Sequence, residues 1–205
     1  MSDPVIRLLL ADDQALVRGA LAALLNLERD LEVVAEVGSG DEVLPAVLEH
    51  RPDVALLDVE MPGMDGIAAT ALVRAKAPGT RVLIVTTFGR PGFLRRALQA
   101  GAHGFVVKDT PAAELADAVR KVHRGLRVVD PQLATDSLVA GESPLTPRET
   151  EVLRAARDGS TVAAISKRLF LSEGTVRNHL SAAIGKTGAT TRAEAVLTAE
   201  GNGWL

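Results

Sequence analysis

Residues 56–66, "LLDVEMPGMDG", carry the decision about the fold. A hydrophobic run, "DVALLD" over 53–58, ends at Asp58 and gives way to a loop holding two methionines, a proline and two glycines. A short apolar run bounded by turn residues reads as a buried strand. Its end on a carboxylate has two readings: a cap, or a group placed to react or to hold a metal.

Working outward, similar runs stand at 5–11, 31–37, 81–87 and 104–107. The segments between them place apolar residues at helical spacing, as in Leu16, Ala20, Leu24 and Leu27. Boundary signals agree: Ser39 with Glu42 forms a capping-box pattern, Gly101 and Gly125 suit helix ends, and Pro111 after Thr110 suits a helix start. Alternating strands and helices predict an α/β fold, a five-stranded parallel (βα)5 sheet covered on both faces. Right-handed crossovers in the order 2-1-3-4-5 bring the carboxyl ends of the strands to one crevice.

The chain of 205 residues is 47% apolar but only 2% aromatic, so Leu, Val and Ala must fill its cores. It has no cysteine, which excludes disulfides and thiolate metal sites and fits a reducing compartment. No apolar stretch approaches the roughly 20 residues that span a bilayer. The opening "MSDPVIRLLLADD" is unlike a signal peptide, so the expected location is cytoplasmic. Residues 125–144 lack sustained periodicity and read as a linker with a short helix near Pro131–Val139. From Leu145 the pattern is helical, at about 147–157, 161–169, 173–186 and 191–201, with Thr146, Pro147 and Glu149 as a helix start. The division is therefore a first domain at 1–124, a linker at 125–144, and a small all-α domain at 145–205. That last part carries eight Lys/Arg against six Asp/Glu, whereas the rest of the chain is net acidic, a weak pointer to a polyanionic partner.

The polar residues at the strand ends are Asp12 and Asp13, Asp58, Thr86 and Lys108. Three carboxylates with a lysine and a hydroxyl are the parts needed to transfer a phosphoryl group to oxygen: carboxylates for Mg²⁺, a cation for the phosphoryl oxygens, and one carboxylate as nucleophile. Taken singly, each has an ordinary reading as a cap, a surface lysine or a strand residue; the conjunction favours chemistry. No phosphate-binding loop of the nucleotide hydrolases occurs, and "GSGDEV" (38–43) has Val43 where a dinucleotide fingerprint needs glycine.

With the upstream Asp pair and the downstream Thr and Lys, "LLDVEMPGMDG" resembles the receiver domain of two-component response regulators. The resemblance implies that Asp58 accepts phosphate from a sensor histidine kinase. It implies that Asp13 and Asp58 ligate Mg²⁺ with the backbone carbonyl of Glu60, while Asp12 acts largely through water. Lys108 would pair with the phosphate, Thr86 would turn towards it, and Phe105 would be the switch aromatic; Glu60 and Phe88 flank the site.

In the tail, 161–186 reads as two helices joined at "FLSEG", with Ser172 as N-cap of the second. That helix presents Arg177, Asn178, His179 and Ser181 early, as a helix entering a major groove does, and Lys167, Arg168, Thr175 and Lys186 are candidate phosphate contacts. A plain helical bundle explains the apolar pattern equally well. "LTPRETEVLRAARDGSTVAAISKRLFLSEGTVRNHLSAAIGKTG" resembles the LuxR-type helix-turn-helix output domain of the NarL/FixJ group, departing at Ser181, where some relatives carry a basic residue. "LLNLE", "TTFGRPGF" and "GTVRNHL" are more like DesR-type regulators. The expectation is a transcriptional regulator, not an enzyme, that binds double-stranded promoter DNA as a phosphorylation-promoted homodimer, with Ala195, Val196 and Ala199 adding a dimer contact. Two rivals are an Asp-nucleophile phosphatase, which commonly needs a second Asp where Glu60 stands, and a protein-binding adaptor.

Overall fold

Five strands, β1 (Ile6–Ala11), β2 (Leu31–Val37), β3 (Val54–Leu57), β4 (Arg81–Thr86) and β5 (Gly104–Val107), form in the computed structural model, which describes residues 5–87, 89, 91–139 and 143–205. Phe88 lies outside the described residues. The strands run parallel in the order β2-β1-β3-β4-β5. A two-residue strand, β6 (Val128–Val129), extends the sheet beyond β5 inside the stretch expected to be a linker with a short helix. Two residues are too few to carry a period, so β6 has no signature in the sequence and exists through its pairing with Gly104 and Phe105.

Alternation along the strands sorts side chains to two buried faces, as a doubly covered parallel sheet requires. Leu9, Ala55, Leu57, Ile84 and Phe105 face α2 (Gly40–His50), α3 (Gly66–Lys76) and α4 (Pro91–Gln99). Leu8, Leu10, Leu56, Leu83 and Val106 face α1 (Ala15–Asn26) and α5 (Ala112–His123). Ser39 and Glu42 close the capping box of α2. Helix α5 begins one residue later than Thr110–Pro111 suggests, with Pro111 as its N-cap.

Helix α1 forms where the spacing predicts it, but the row Leu16, Ala20, Leu24 and Leu27 is not its buried face. Its inward side is Ala22 and Leu25, whereas Leu16, Leu24 and Leu27 are 86%, 45% and 78% exposed and Ala20 is exposed too. The helix, "ALVRGALAALLN", is apolar nearly all round, so spacing alone leaves its rotation open. Arg18 decides it by reaching in to donate to the backbone carbonyl of Asp12.

The chain divides into two compact units, and the bulk of the second runs from Thr135, within α6 (Pro131–Val139), to Leu205. That unit contains α7 (Pro147–Ala155), α8 (Val162–Leu169), α9 (Glu173–Thr187) and α10 (Arg192–Gly201). Thr146, Thr161, Ser172 and Thr191 each accept a backbone N–H at the start of these four helices, contacts of the kind that contribute about 1 kcal/mol apiece. Val152, Leu153, Ile165, Val176, Ala195 and Ala199 form their common core. Ala195 and Ala199 are fully buried there and Val196 is 7% exposed, so these three are not the dimer contact expected of them. Leu197, 69% exposed, is the large apolar residue that α10 turns outward.

Candidate functional site

Strand register builds the site. Ala11 pairs with Leu57, so Asp12 and Asp58, the next residues of adjacent strands, leave the sheet side by side. Thr86 pairs with Val107, which brings Lys108 to the same edge, and the Lys108 N–H donates to the Thr86 carbonyl at 2.8 Å. Carboxylate oxygens of Asp12, Asp13 and Asp58 come within 4.8 Å of one another. Lys108 Nζ bridges two of them, at 2.7 Å from Asp12 Oδ2 and 2.7 Å from Asp58 Oδ2. Asp58 Oδ1 accepts from the Val59 N–H at 2.7 Å. Asp12 and Asp58 are buried, while Asp13 and Glu60 are exposed. Thr86 is buried at the end of β4, and Phe105 is fully buried in the core beneath.

This burial sets the electrostatics. Desolvation pushes the Asp58 carboxyl above its ordinary value, and the Lys108 ammonium only partly offsets it. Burial also works to lower the Lys108 pKa, but its hydrogen bonds to Asp12 and Asp58 outweigh that and leave it raised. The loop after Asp58 folds back so closely that a Cβ on Gly66 would lie 1.9 Å from the Asp58 carbonyl oxygen. Asp65 caps α3, accepting from the Ala68 N–H at 2.6 Å, and its other oxygen lies 3.4 Å from Arg96 of α4.

Arg18 belongs to this neighbourhood and was not singled out from the sequence. Besides holding the Asp12 carbonyl it lies 3.7 Å from the Glu36 carboxylate, and it lines a small cavity with Asp12 and Asp58. The available signal was a lone charge in a helix otherwise without one. His103 has a structural task, its Nδ1 accepting the Val82 N–H at 3.1 Å.

Comparison with known proteins places both units. The model of the response regulator receiver domain matches residues 8–120, more than half of the chain, and that of bacterial regulatory proteins of the luxR family matches 143–199. The chain is a LuxR-family response regulator. It is 45% identical to the transcriptional regulatory protein YvfU of Bacillus subtilis, over 98% of this chain and 100% of that one. It is 40% identical to the transcriptional regulatory protein DesR of the same organism, over the same shares. The crystal structure of the response regulator ChrA of a heme-sensing two-component system is 34% identical and superposes with a TM-score of 0.60, covering 97% of this chain and 98% of that one.

In the luxR-type part of this response regulator, Lys167, Arg177, Asn178 and Ser181 are exposed, and Thr175 and His179 are half-buried. Arg177 pairs with Glu173 one turn earlier, at 2.7 Å, and Thr175 lies in the cap formed by Ser172. Two of the expected phosphate contacts have other employment. Lys186 Nζ is 3.0 Å and 2.8 Å from the two carboxylate oxygens of Glu149, which is buried. Arg168 donates to the Ala155 carbonyl and pairs with Asp158 at 3.0 Å. Partners 37 and 10 residues away are invisible to local patterning, which sees only a basic residue in the last turn of a helix.

Proposed function

We propose that Asp58 is the phosphoacceptor of a two-component system and that its phosphorylation, by a sensor histidine kinase, promotes homodimerisation and binding to promoter DNA. The observation that carries this is the buried Asp58 carboxylate lying against Lys108 and Asp12 at the carboxyl edge of the sheet. A partly desolvated carboxylate is a better nucleophile than one in water, because less hydration must be stripped from it. Asp58 oxygen attacks phosphorus, the P–N bond to the donor imidazole breaks, and an aspartyl phosphate results. Lys108 then has a phosphoryl oxygen to pair with in place of the bare carboxylate.

Asp12, Asp13 and Asp58 offer clustered hard oxygen donors, the chemistry Mg²⁺ prefers, and the Glu60 carbonyl would join them. Bound there, the cation would supply positive charge against the phosphoryl oxygens. Thr86 and Phe105 are the proposed relay: Thr86 turns towards the phosphate, and the fully buried ring of Phe105 has room to move only as its neighbours do. The response is a population shift, so the phosphorylated form must have the higher affinity for its own copy.

The working division is a receiver at 1–124 and an output domain at 145–205, with 125–144 between them contributing β6 to the sheet. In the output domain, α9 enters the major groove with Arg177, Asn178, His179 and Ser181 towards the bases. Lys167 and Thr175 stand towards phosphates, with Arg168 and Lys186 secondary because of their internal partners. Treating the protein with a small phosphoramidate and measuring intact mass tests the first step: one hydroxylamine-labile phosphoryl group on wild type and none on Asp58→Ala is expected. Gel shifts of the free, phosphorylated and Asp58→Ala forms test the second. Equal DNA affinity in all three would reject the switch.

A further inference from the structure

Phe170 is the C-cap of α8 in the turn between α8 and α9, and its side chain does nothing for that turn. Its backbone is left-handed, with φ +54° and ψ 44°, a region that side chains enter at a cost and glycine enters freely. Its ring is 96% exposed, the highest value among the exposed large apolar residues of the described chain. The turn is closed without the ring: the Phe170 and Leu171 N–H groups both reach the Ser166 carbonyl, and Ser166 Oγ donates back to the Leu171 carbonyl at 2.5 Å. Glycine here would keep those bonds and remove both the strain and the exposed aromatic surface.

Phe170 stands two residues before Ser172, the N-cap of α9, and directly after the last turn of α8 with Lys167 and Arg168. Arg177, also exposed, follows on the first turns of α9. The ring is thus bracketed in sequence by cations and adjoins the end of α9 that leads into a groove. A polyanion with apolar faces between its charges fits that setting, and deoxyribose and the thymine methyl supply such faces. Resting on the DNA-binding reading above, we propose that Phe170 is a DNA-contact residue whose ring packs on the sugar edge of the backbone when α9 lies in the major groove, contributing affinity through apolar burial rather than charge.

The test uses full-length phosphorylated protein and a fluorescein-labelled duplex selected by the wild type from a random-sequence pool, with anisotropy read across a salt series. Phe170→Gly and Phe170→Asn both suit the left-handed backbone, so both should melt at or above the wild-type temperature. Each should bind about five- to tenfold more weakly, the loss expected for some tens of Å² of apolar contact. The slope of log K against log salt should stay unchanged, because no phosphate neutraliser has been removed, whereas Lys167→Ala should make it shallower. Wild-type affinity in both Phe170 variants would overturn the proposal. So would a loss accompanied by a shallower slope, which would mean that the cations of α8 had been displaced. Failure of the wild type itself to select any duplex would instead overturn the DNA-binding reading.

Discussion

Asp58 is held at a cost to the fold that the phosphoacceptor role proposed for it would explain. Its pKa is raised by burial, so the folded chain binds the proton more tightly than the unfolded chain does. The stability this contributes is complete below the ordinary aspartate value and is lost as pH rises through the raised one; at neutral pH the charged group therefore weighs against folding. Asp58→Asn should raise the melting temperature of the receiver by about 4 °C, a change of about 1 kcal/mol, while abolishing phosphoryl uptake. A lower melting temperature would show that the Lys108 contact outweighs desolvation. Gly66 is the complementary case, a residue chosen for absence: Gly66→Ala forces a methyl against the Asp58 carbonyl and should destabilise by about 1–3 kcal/mol and slow phosphorylation, as followed by denaturant titration and intact mass.

Helices show how rotation and partners override local pattern. Because Leu16 and Leu27 of α1 face outward, Leu16→Lys and Leu27→Lys should each change stability by no more than about 0.5 kcal/mol. Leu25→Ala, at 1% exposure, should cost about 2–5 kcal/mol, and the reverse ranking in urea titrations would restore the stripe read from spacing. In α7, Glu149 is both cap and ion-pair partner, and burial, which acts to raise its pKa, is outweighed by Lys186 and the Thr146 amide, leaving it lowered. Its stabilisation is present above the ordinary glutamate value and disappears as pH falls through the depressed one. Glu149→Ala should cost the output domain about 1–2 kcal/mol at neutral pH, less than a fully buried pair because Lys186 keeps contact with solvent, and that difference should shrink in acid.

At the scale of the molecule, charge constrains how DNA is bound. The span 145–205 carries eight basic residues against six acidic, and Arg168 and Lys186 are engaged internally. One copy therefore neutralises few phosphates, and tight binding calls for two copies on repeated half-sites. The salt dependence of DNA affinity for the phosphorylated protein should be about twice as steep as that of isolated 145–205, in parallel with dimer formation by sedimentation. Equal slopes would show that one output domain makes all the contacts.

Period, caps and the punctuation around Asp58 were enough to read the alternating strands and helices and the output helices, because these follow from alternation and turn chemistry along short stretches; the order 2-1-3-4-5 was a condition of that reading, which only the pairing of strands remote in the chain decides. Asp12, Asp13, Asp58, Thr86 and Lys108 were legible for the same reason, since each ends or follows a strand and parallel register carries strand ends to one edge. Tertiary structure alone decided the inward face of α1, the part Arg18 plays beside Asp12, the strand β6, the burial of Ala195 and Ala199, and the capture of Lys186 by Glu149. Each depends on a partner remote in the chain, or on a rotation that an almost uniformly apolar helix does not encode.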